Sequence, residues 1–407
     1  MSAEISVQSL ENGYKSIFKE SPAHFYFAPG RINLIGEHTD YNGRRVFPCA
    51  ISLGTFAAVK PRTDNEFHLY SKNFVDQGVQ VSTLGTSEIQ EKVGNMWTNY
   101  PKGMLRYLME DGAKITTGLN VYIVGNLPDG AGLSSSASLE MLFGKIFQDE
   151  FQLQVDPIDM VKTGVKVENQ FIGLNSGIMD QFAVEMGKKD NAVLLDTNTL
   201  KYEHVPLKLG NHVIIIMNTN KRRELADSKY NEHRQQCDEA LKQLQTGIDT
   251  PTLGALDKET FDEYAYLIQS EPLLKRARHA VFENQRVGEA MTALRDQDLA
   301  KFGRLVNASH VSLQYDFDVT GKELDTLAHT AWQQLGVLGA RMIGGGYGGC
   351  AIAIVDKERV AAFEAEVGKV YKEKIGYAAD FYVAEIADGP TCLLYTSDAA
   401  RRYAVCR

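Results

Sequence analysis

The sequence of 407 residues lacks several features that mark common classes of protein. It contains no GxxxxGKS or GxxxxGKT segment, which excludes the P-loop nucleotide-binding class, and no HRD or DFG segment, which excludes protein kinases. Its five cysteines are scattered and never form a CxxC pair, so no structural zinc site is expected. Apolar runs such as 213–217 are far shorter than a membrane span, and residues 1–20 hold no apolar signal segment. We therefore expect a cytoplasmic protein with no membrane association.

Composition and charge describe a globular protein whose main partner is not nucleic acid. Hydrophobic residues make up 44% of the chain and charged residues 23%, which is typical of a folded domain. The net charge of −9 disfavours nucleic acid as a partner. Aromatic residues are spread along the chain, so we interpret Trp97 and Tyr100 as core residues rather than as contacts for adenine. At this length, two domains that share a cleft are expected.

The order of predicted elements favours an α+β fold. Runs of β-branched and aromatic residues predict strands at 25–28, 54–59, 119–124, 192–196, 212–218, 350–355 and 380–385. Helical patterns cover 137–151, 157–171, much of 230–313, and 357–375. Strands and helices cluster rather than alternate regularly, which indicates α+β. The polar segment 197–210 is predicted to be irregular and to mark a boundary, so the expected domains are 1–205 and 206–389. Residues 390–407 show no clear pattern, and we leave this tail unassigned. A non-native extension would account for the lack of a pattern.

A serine-rich segment at 128–138, PDGAGLSSSAS, lies between a predicted strand and a predicted helix; we call it the serine loop. Its glycines allow a sharp turn and close approach to an anion, and the amides at a helix start favour phosphate. Its hydroxyls can donate to phosphate oxygens or ligate magnesium. The candidate phosphate-binding residues are Gly130, Ala131, Gly132, Leu133, Ser134, Ser135 and Ser136. An ordinary serine-rich turn with a helix cap is the alternative.

A second glycine-rich segment, GGGYGG at 344–349, formally matches the dinucleotide-binding pattern GxGxxG. That pattern requires a strand before it and a helix after it, near the start of a βαβ unit. Here a predicted strand follows, and the segment lies far along the chain. We therefore interpret this glycine turn as a tight turn that approaches a ligand or another loop.

Charged side chains are concentrated at residues 28–41, which we call the charged segment. Arg31, Glu37, His38 and Asp40 lie within ten residues, directly after a predicted strand. Several directional acceptors in a short arc suit the hydroxyls of a sugar. A solvated turn with a local Arg–Glu ion pair is the alternative.

Three segments carry a resemblance to a known family. Residues 30–41 resemble the galactokinase signature, 128–138 resemble the second motif of the GHMP small-molecule kinases, and 344–350 resemble their third motif. The motifs occur in the family's order, and the resemblance covers about residues 10–389. It implies a two-domain GHMP kinase fold, with an N-terminal half like the second domain of ribosomal protein S5 and a ferredoxin-like C-terminal half. The active site would lie between the two halves.

The resemblance also implies a role for individual residues. Asp180 matches the catalytic base, and Arg31 matches the residue that stabilises the transition state. The sugar contacts implied are Glu37, His38, Thr39, Asp40 and Tyr230. Ser136 and Glu168 match the ligands of magnesium, and Ser71 matches a nucleotide-binding position. Arg31 beside Asp180 would favour the ionised carboxylate that a base needs.

The implied activity is that of a galactokinase, which uses ATP and Mg²⁺ to phosphorylate the anomeric hydroxyl of galactose in the first step of the Leloir pathway. No protein partner is implied, and a monomer is expected. One alternative is a kinase for N-acetylgalactosamine or another galactose-like sugar. A second alternative is a signalling module that binds sugar and ATP without phosphorylating, but Ser134 to Ser138, Arg31 and Asp180 are all present.

Overall fold

The computed structural model describes residues 5–128, 130–221 and 226–393, and the elements below lie in these ranges. The strands are β1 (His24–Asn33), β2 (Arg45–Val46), β3 (Pro48–Pro61), β4 (Glu66–Ser71), β5 (Gln80–Thr83), β6 (Leu119–Gly125), β7 (Asn191–Asp196), β8 (Tyr202–Pro206), β9 (His212–Asn218), β10 (Val337–Met342), β11 (Cys350–Asp356), β12 (Asp380–Ala384) and β13 (Thr391–Leu393). The helices are α1 (Val7–Phe18), α2 (Ser87–Gln90), α3 (Asn99–Glu110), α4 (Ser135–Glu150), α5 (Pro157–Lys166), α6 (Met179–Glu185), α7 (Ala226–Leu244), α8 (Lys258–Tyr264), α9 (Glu271–Arg295), α10 (Leu299–Ser312), α11 (Gly321–Trp332) and α12 (Val360–Ile375). Wider helical turns at Val167–Ile172 and Leu313–Phe317 continue α5 and α10.

The N-terminal sheet positions the charged segment. Its described strands run in the order β13-β1-β3-β6-β4-β5, and helices α3 and α4 contribute to the apolar core beside it. Strands β1 and β3 are antiparallel, and their register shifts between Pro29 and Gly30. A bulge of this kind re-aims the side chains that follow it. Arg31 is the first side chain after the bulge.

The C-terminal sheet has the expected ferredoxin-like order. Its described strands run β10-β11-β9-β12 and every neighbouring pair is antiparallel. In chain order these strands and their helices read βαββαβ, with α7 to α11 after β9 and α12 after β11. The predictions of an α+β fold and of a ferredoxin-like C-terminal half are confirmed. The turn between β10 and β11 contains the glycine turn.

The segment 197–210 is irregular only at its two ends, so the prediction of an irregular segment was wrong for its middle. Residues Tyr202–Pro206 form β8, which pairs with β7 in a small antiparallel sheet with β2. Tyr202 and Glu203 are exposed, and Val205 is buried. The polar composition reflects a mostly exposed strand at the edge of this small sheet rather than a loop.

The segment that the sequence left unassigned begins with an ordered strand. Residues Thr391–Leu393 form β13, which pairs antiparallel with β1 and places Leu393 opposite Phe25. Cys392 and Leu393 are buried. Three residues are too few to show a pattern of alternation, which explains why the sequence did not reveal the strand. The remainder of the tail, 394–407, lies outside the described residues.

Helix α9 is long enough to cross a bilayer, with 25 residues, but it carries many charged side chains. Across the described ranges, no helix combines sufficient length with sufficient apolar character to span a membrane.

Candidate active site

The site is organised around an ion pair between Arg31 and Asp180. The Nε and Nη2 atoms of Arg31 donate to Oδ1 and Oδ2 of Asp180, each at 2.9 Å, so the guanidinium holds both carboxylate oxygens. Its Nη1 atom donates to the carbonyl of Gly132 at 2.6 Å. Arg31 is only 4% exposed. Burial opposes its charge, but the carboxylates of Asp180 and Glu37 outweigh burial and raise its pKa.

The serine loop packs directly against this ion pair. Gly130 and Gly132 have φ of 63° and 71°, in the left-handed region that glycine adopts readily. The backbone N–H of Arg31 donates to the carbonyl of Leu133 at 3.1 Å. The hydroxyl of Ser134 donates to Oδ2 of Asp180. The loop is therefore fixed to the charged segment and to α6, which carries Asp180.

The other loop hydroxyls have different partners. Ser136 donates to Oε1 of Glu168 at 2.7 Å, which joins the two predicted magnesium ligands. Burial raises the pKa of Glu168, and the nearby charge of Asp180 adds to this effect. Ser135 begins α4 and lines a cavity described below. Ala131 and Leu133 are 2% exposed, and their side chains pack into an apolar core.

The charged segment lines a cavity of about 490 Å³, which we call the central cavity. Its walls include the predicted residues Arg31, Glu37, His38, Asp40, Asp180 and Tyr230. Gly344 and Gly345 of the glycine turn also line it, so this turn approaches the site as expected. The structure thus brings residues from both halves of the chain around one space.

Thr39 is the predicted sugar contact that does not line the central cavity. It is 1% exposed, and its hydroxyl donates to the carbonyls of Gly36 and Arg45 at 2.8 and 2.9 Å. This threonine stabilises the turn of the charged segment, because its hydroxyl is hydrogen-bonded to two backbone carbonyls.

Electrostatics in the central cavity favour neutral groups beside the ion pair. Burial, followed by the charges of Asp180 and Glu37, raises the pKa of Asp40 to about 7. Burial lowers the pKa of His38 well below its usual value, so its ring is neutral. Its Nδ1 atom lies 2.8 Å from the hydroxyl of Tyr41, and its ring centroid lies 5.6 Å from that of Tyr230.

Glu37 is held from the C-terminal half of the chain. Its Oε1 atom accepts from the N–H of Gly344 at 2.8 Å and lies 3.4 Å from Nη2 of Arg341. Arg341 is fully buried and also donates to the carbonyl of Asn33 at 3.1 Å. Sequence reasoning missed Arg341, although it stands just three residues before the glycine turn.

Gly177 is a second residue whose role the sequence did not reveal. A Cβ atom on this glycine would lie 1.8 Å from Oδ2 of Asp40. The loop that precedes Asp180 therefore contacts the charged segment so closely that a larger residue would require Asp40 or the loop to move.

Beside the serine loop lies a smaller cavity of about 170 Å³, which we call the aromatic cavity. Ser71, Ser135 and Ser136 line it together with Phe74, Trp97 and Tyr100. The rings of Phe74 and Trp97 are nearly parallel, at 8°, with centroids 6.4 Å apart. Trp97 belongs to the core, as predicted, but it also faces this cavity. Phe74, which is 44% exposed, stands in no motif that would have marked it for this cavity.

Known proteins resemble this chain over about 95% of its length. Family models match it at residues 12–61 (galactokinase galactose-binding signature), 99–188 (GHMP kinases N terminal domain) and 290–373 (GHMP kinases C terminal). It is 61% identical to a galactokinase of Ligilactobacillus salivarius, over 94% of this chain and 99% of that protein. It is 58% identical to a galactokinase of Lactiplantibacillus plantarum, over 95% and 99%. Among solved structures, Lactococcus lactis galactokinase complexed with galactose matches with a TM-score of 0.92 at 50% identity, over 95% of this chain and 99% of that one.

Proposed function

The chain belongs to the galactokinase family of GHMP kinases, and from this premise we propose that it transfers the γ-phosphoryl group of ATP to the anomeric hydroxyl of galactose. The products are galactose 1-phosphate and ADP. The observation that carries the proposal is the position of Asp180. This carboxylate is held by Arg31 and Ser134 at the wall of a cavity that Glu37, His38 and Asp40 also line.

Phosphoryl transfer asks mainly for positioning and for stabilisation of charge. We assign Asp180 as the base that accepts the proton of the sugar hydroxyl as its oxygen attacks phosphorus. Arg31 fixes the orientation of this carboxylate by its two hydrogen bonds. Its positive charge also favours the negative charge that develops on the transferring group. Glu37, His38, Asp40 and Tyr230 supply the hydrogen-bonding groups that orient the sugar.

We propose that ATP lies across the serine loop with its base in the aromatic cavity. The N–H groups at the start of α4 and the two glycines of the loop suit phosphate oxygens. Phe74 and Trp97 offer ring faces on which adenine can stack. Ser71 lines the same cavity, which supports its predicted association with the nucleotide.

The residues present fit a magnesium ion. Ser136 and Glu168 place a hydroxyl and a carboxylate 2.7 Å apart, and oxygen ligands of this kind are those that magnesium prefers. Glu168 is 5% exposed, and a cation would offset the cost of its buried charge. We propose that these two residues hold Mg²⁺. When bound, the ion would neutralise charge on the phosphates.

The test is a coupled ATPase assay of the purified chain with a panel of sugars, together with identification of the phosphorylated product. We expect galactose to be turned over and galactose 1-phosphate to appear. If N-acetylgalactosamine were used as well as galactose, the rival sugar kinase would be correct. If galactose and ATP bound without any product, the signalling alternative would hold.

We further propose a cytoplasmic enzyme, since the reaction consumes ATP, which that compartment supplies. A monomer stays a prediction, and the residues assigned to the two cavities all belong to one chain.

A further inference from the structure

One face of helix α9 lies against the charged segment. His279, Glu283 and Val287 are spaced by four residues, so their side chains project from the same side of the helix. All three are fully buried. None of them lines the central cavity, so this face reaches the sugar site only through the charged segment.

His279 and Glu283 hold two successive residues of that segment by their backbone. The Nε2 atom of His279 lies 3.0 Å from the carbonyl of Glu37, and because a carbonyl only accepts, Nε2 carries the proton. Glu283 accepts from the N–H of Gly36 at 2.9 Å. Val287 packs closely against Gly36: a Cβ atom on this glycine would lie 2.8 Å from Cγ2 of Val287.

Both side chains are themselves fixed. Burial lowers the pKa of His279 to about 4, so the ring is neutral, and its Nδ1 atom lies 2.9 Å from the Ser312 hydroxyl. Glu283 accepts from Ser309 at 2.5 Å and from Nε of Arg286 at 2.7 Å. Burial opposes its ionisation, but the charge of Arg286, with that of Arg341 and the hydrogen bond from Ser309, helps to lower its pKa to about 2. An ionised carboxylate makes a stronger hydrogen bond to a backbone N–H than a neutral acceptor does.

The backbone that these residues hold includes one unfavourable conformation. Gly36 has φ of 98°, which glycine adopts readily, whereas His38, which is not glycine, has φ of 60°. A left-handed conformation at a residue other than glycine persists only where surrounding contacts fix it. A further contact runs through Phe317, whose ring centroid lies 4.6 Å from that of His38 and 4.7 Å from that of His279. A displaced His279 would therefore disturb the ring of His38 as well as the backbone of Glu37.

We propose that His279 and Glu283 are positioning residues for the sugar: they set the conformation of Gly36 to His38 and thereby the affinity for galactose, without touching the substrate. The inference rests on the proposed function for the identity of the ligand. The proposal assigns to two residues of the C-terminal half the task of holding the backbone that carries the sugar contacts.

The test compares His279→Leu, which is apolar and donates nothing, with His279→Gln, whose amide keeps a donor near the carbonyl of Glu37. Galactose affinity is measured by calorimetry without ATP, and the KM values for galactose and for ATP by steady-state kinetics. We expect His279→Leu to raise the Kd and KM for galactose about tenfold, with the KM for ATP within about twofold of the wild type. We expect His279→Gln to recover most of the loss.

Two results would overturn the proposal. One is a folded His279→Leu variant that binds galactose as the wild type does. The other is an equal rise of both KM values in His279→Leu and His279→Gln, since that pattern indicates general loosening of the fold. Turnover of galactose by the wild type tests the proposed function separately, because it does not depend on either variant.

Glu283→Gln provides an independent second variant if His279→Leu does not fold. It keeps an oxygen acceptor for the N–H of Gly36 but removes the charge. We expect the Kd for galactose to rise about threefold to tenfold with the KM for ATP unchanged. An unchanged Kd for galactose in this variant would also contradict the proposal.

Discussion

The hydroxyl of Ser134 donates a hydrogen bond to Oδ2 of Asp180, the same oxygen that accepts from Nη2 of Arg31. Ser134 adopts φ of 60° and ψ of 54°, a left-handed conformation that is unusual for a residue other than glycine. It does not cap α4 with its side chain. The strained backbone therefore directs this hydroxyl to the carboxylate that we assign as the base.

Ser134→Ala and Ser134→Gly separate the hydroxyl from the backbone. Both variants lose the hydrogen bond to Asp180, so we expect kcat to fall about tenfold in each. Glycine tolerates the left-handed conformation, so Ser134→Gly should be more stable to denaturant than Ser134→Ala by about 1 kcal/mol. Steady-state kinetics and urea unfolding measure the two effects. Wild-type kcat in both variants would show that the hydroxyl does not serve Asp180.

Asp180→Asn tests the base directly. The amide keeps the size of the side chain but cannot accept the proton, so we expect kcat to fall by about 10² to 10⁴. Galactose binding, measured by calorimetry, should persist. Asp190→Asn is a matched control at an exposed turn and should leave kcat unchanged. Substantial turnover by Asp180→Asn would assign the base to another group.

Gly177→Ala introduces a methyl group that would lie 1.8 Å from Oδ2 of Asp40. Because the loop or Asp40 must move, we expect the KM for galactose to rise about tenfold or more, with a smaller effect on the KM for ATP. Gly368→Ala on α12 is the control, since its new methyl would meet only the ring of Phe381, at 3.3 Å. Wild-type kinetics in Gly177→Ala would mean that this contact does not shape the sugar site.

Asp40 predicts a specific dependence of stability on pH. Its pKa is raised from 3.8 to about 7, so between these values the folded protein keeps a proton that the unfolded chain releases. The free energy of unfolding should therefore fall as pH rises through this window, by up to about 1.4 kcal/mol per pH unit from this group. Urea unfolding at pH 5, 6 and 7 without sugar measures the slope. Asp40→Asn should flatten it; an identical slope in the variant would refute the assignment.

The surroundings of Glu140 lead us to expect different effects from its replacement by glutamine and by alanine. This buried glutamate accepts from Nε2 of Gln181 at 2.9 Å, while within the described ranges the Oε1 atoms of both residues have no hydrogen-bond partner. Burial, followed by the charge of Glu168, raises the pKa of Glu140 well above its usual value. A proton on its carboxyl group would let it donate to Gln181 and satisfy both atoms.

Glu140→Gln supplies the same donor and acceptor without a charge. We expect it to keep kcat within about threefold of the wild type, whereas Glu140→Ala should lose about 2 to 4 kcal/mol of stability through a cavity and an unpaired amide. Enzyme kinetics and thermal unfolding check both variants. Loss of activity in Glu140→Gln at wild-type stability would instead require an ionised Glu140.

Strands with apolar side chains on both faces could be predicted from the sequence. β9 and β11 lie in the middle of their sheet and read as continuous apolar runs, and both were predicted near their observed bounds. β10 was missed because glycine and arginine interrupt its pattern. This arginine is the buried Arg341. A contact with the distant Glu37, and not a local sequence pattern, accounts for its presence in the strand.

The candidate site was predictable where its residues stand in short motifs. Arg31, Asp40 and Asp180 lie in such segments, and the structure brings them to one cavity. Contacts between segments that are distant in the chain could not be predicted from the sequence. His279 reaches the carbonyl of Glu37 across 242 residues of chain, and nothing in its own helix distinguishes it from an ordinary core histidine. Gly177 was visible in the sequence, but its necessity follows only from the position of Asp40.

The pairing of β1 with β13 bears on how the chain folds as it leaves the ribosome. β1 ends at Asn33, and the strand that covers its outer edge begins at Thr391. At roughly 5–20 residues per second, this edge stays open for tens of seconds during synthesis. An uncovered edge can pair with another nascent chain. We therefore expect the pairing of β13 to be a late step in folding, and chains stalled before residue 391 to aggregate more readily than released ones.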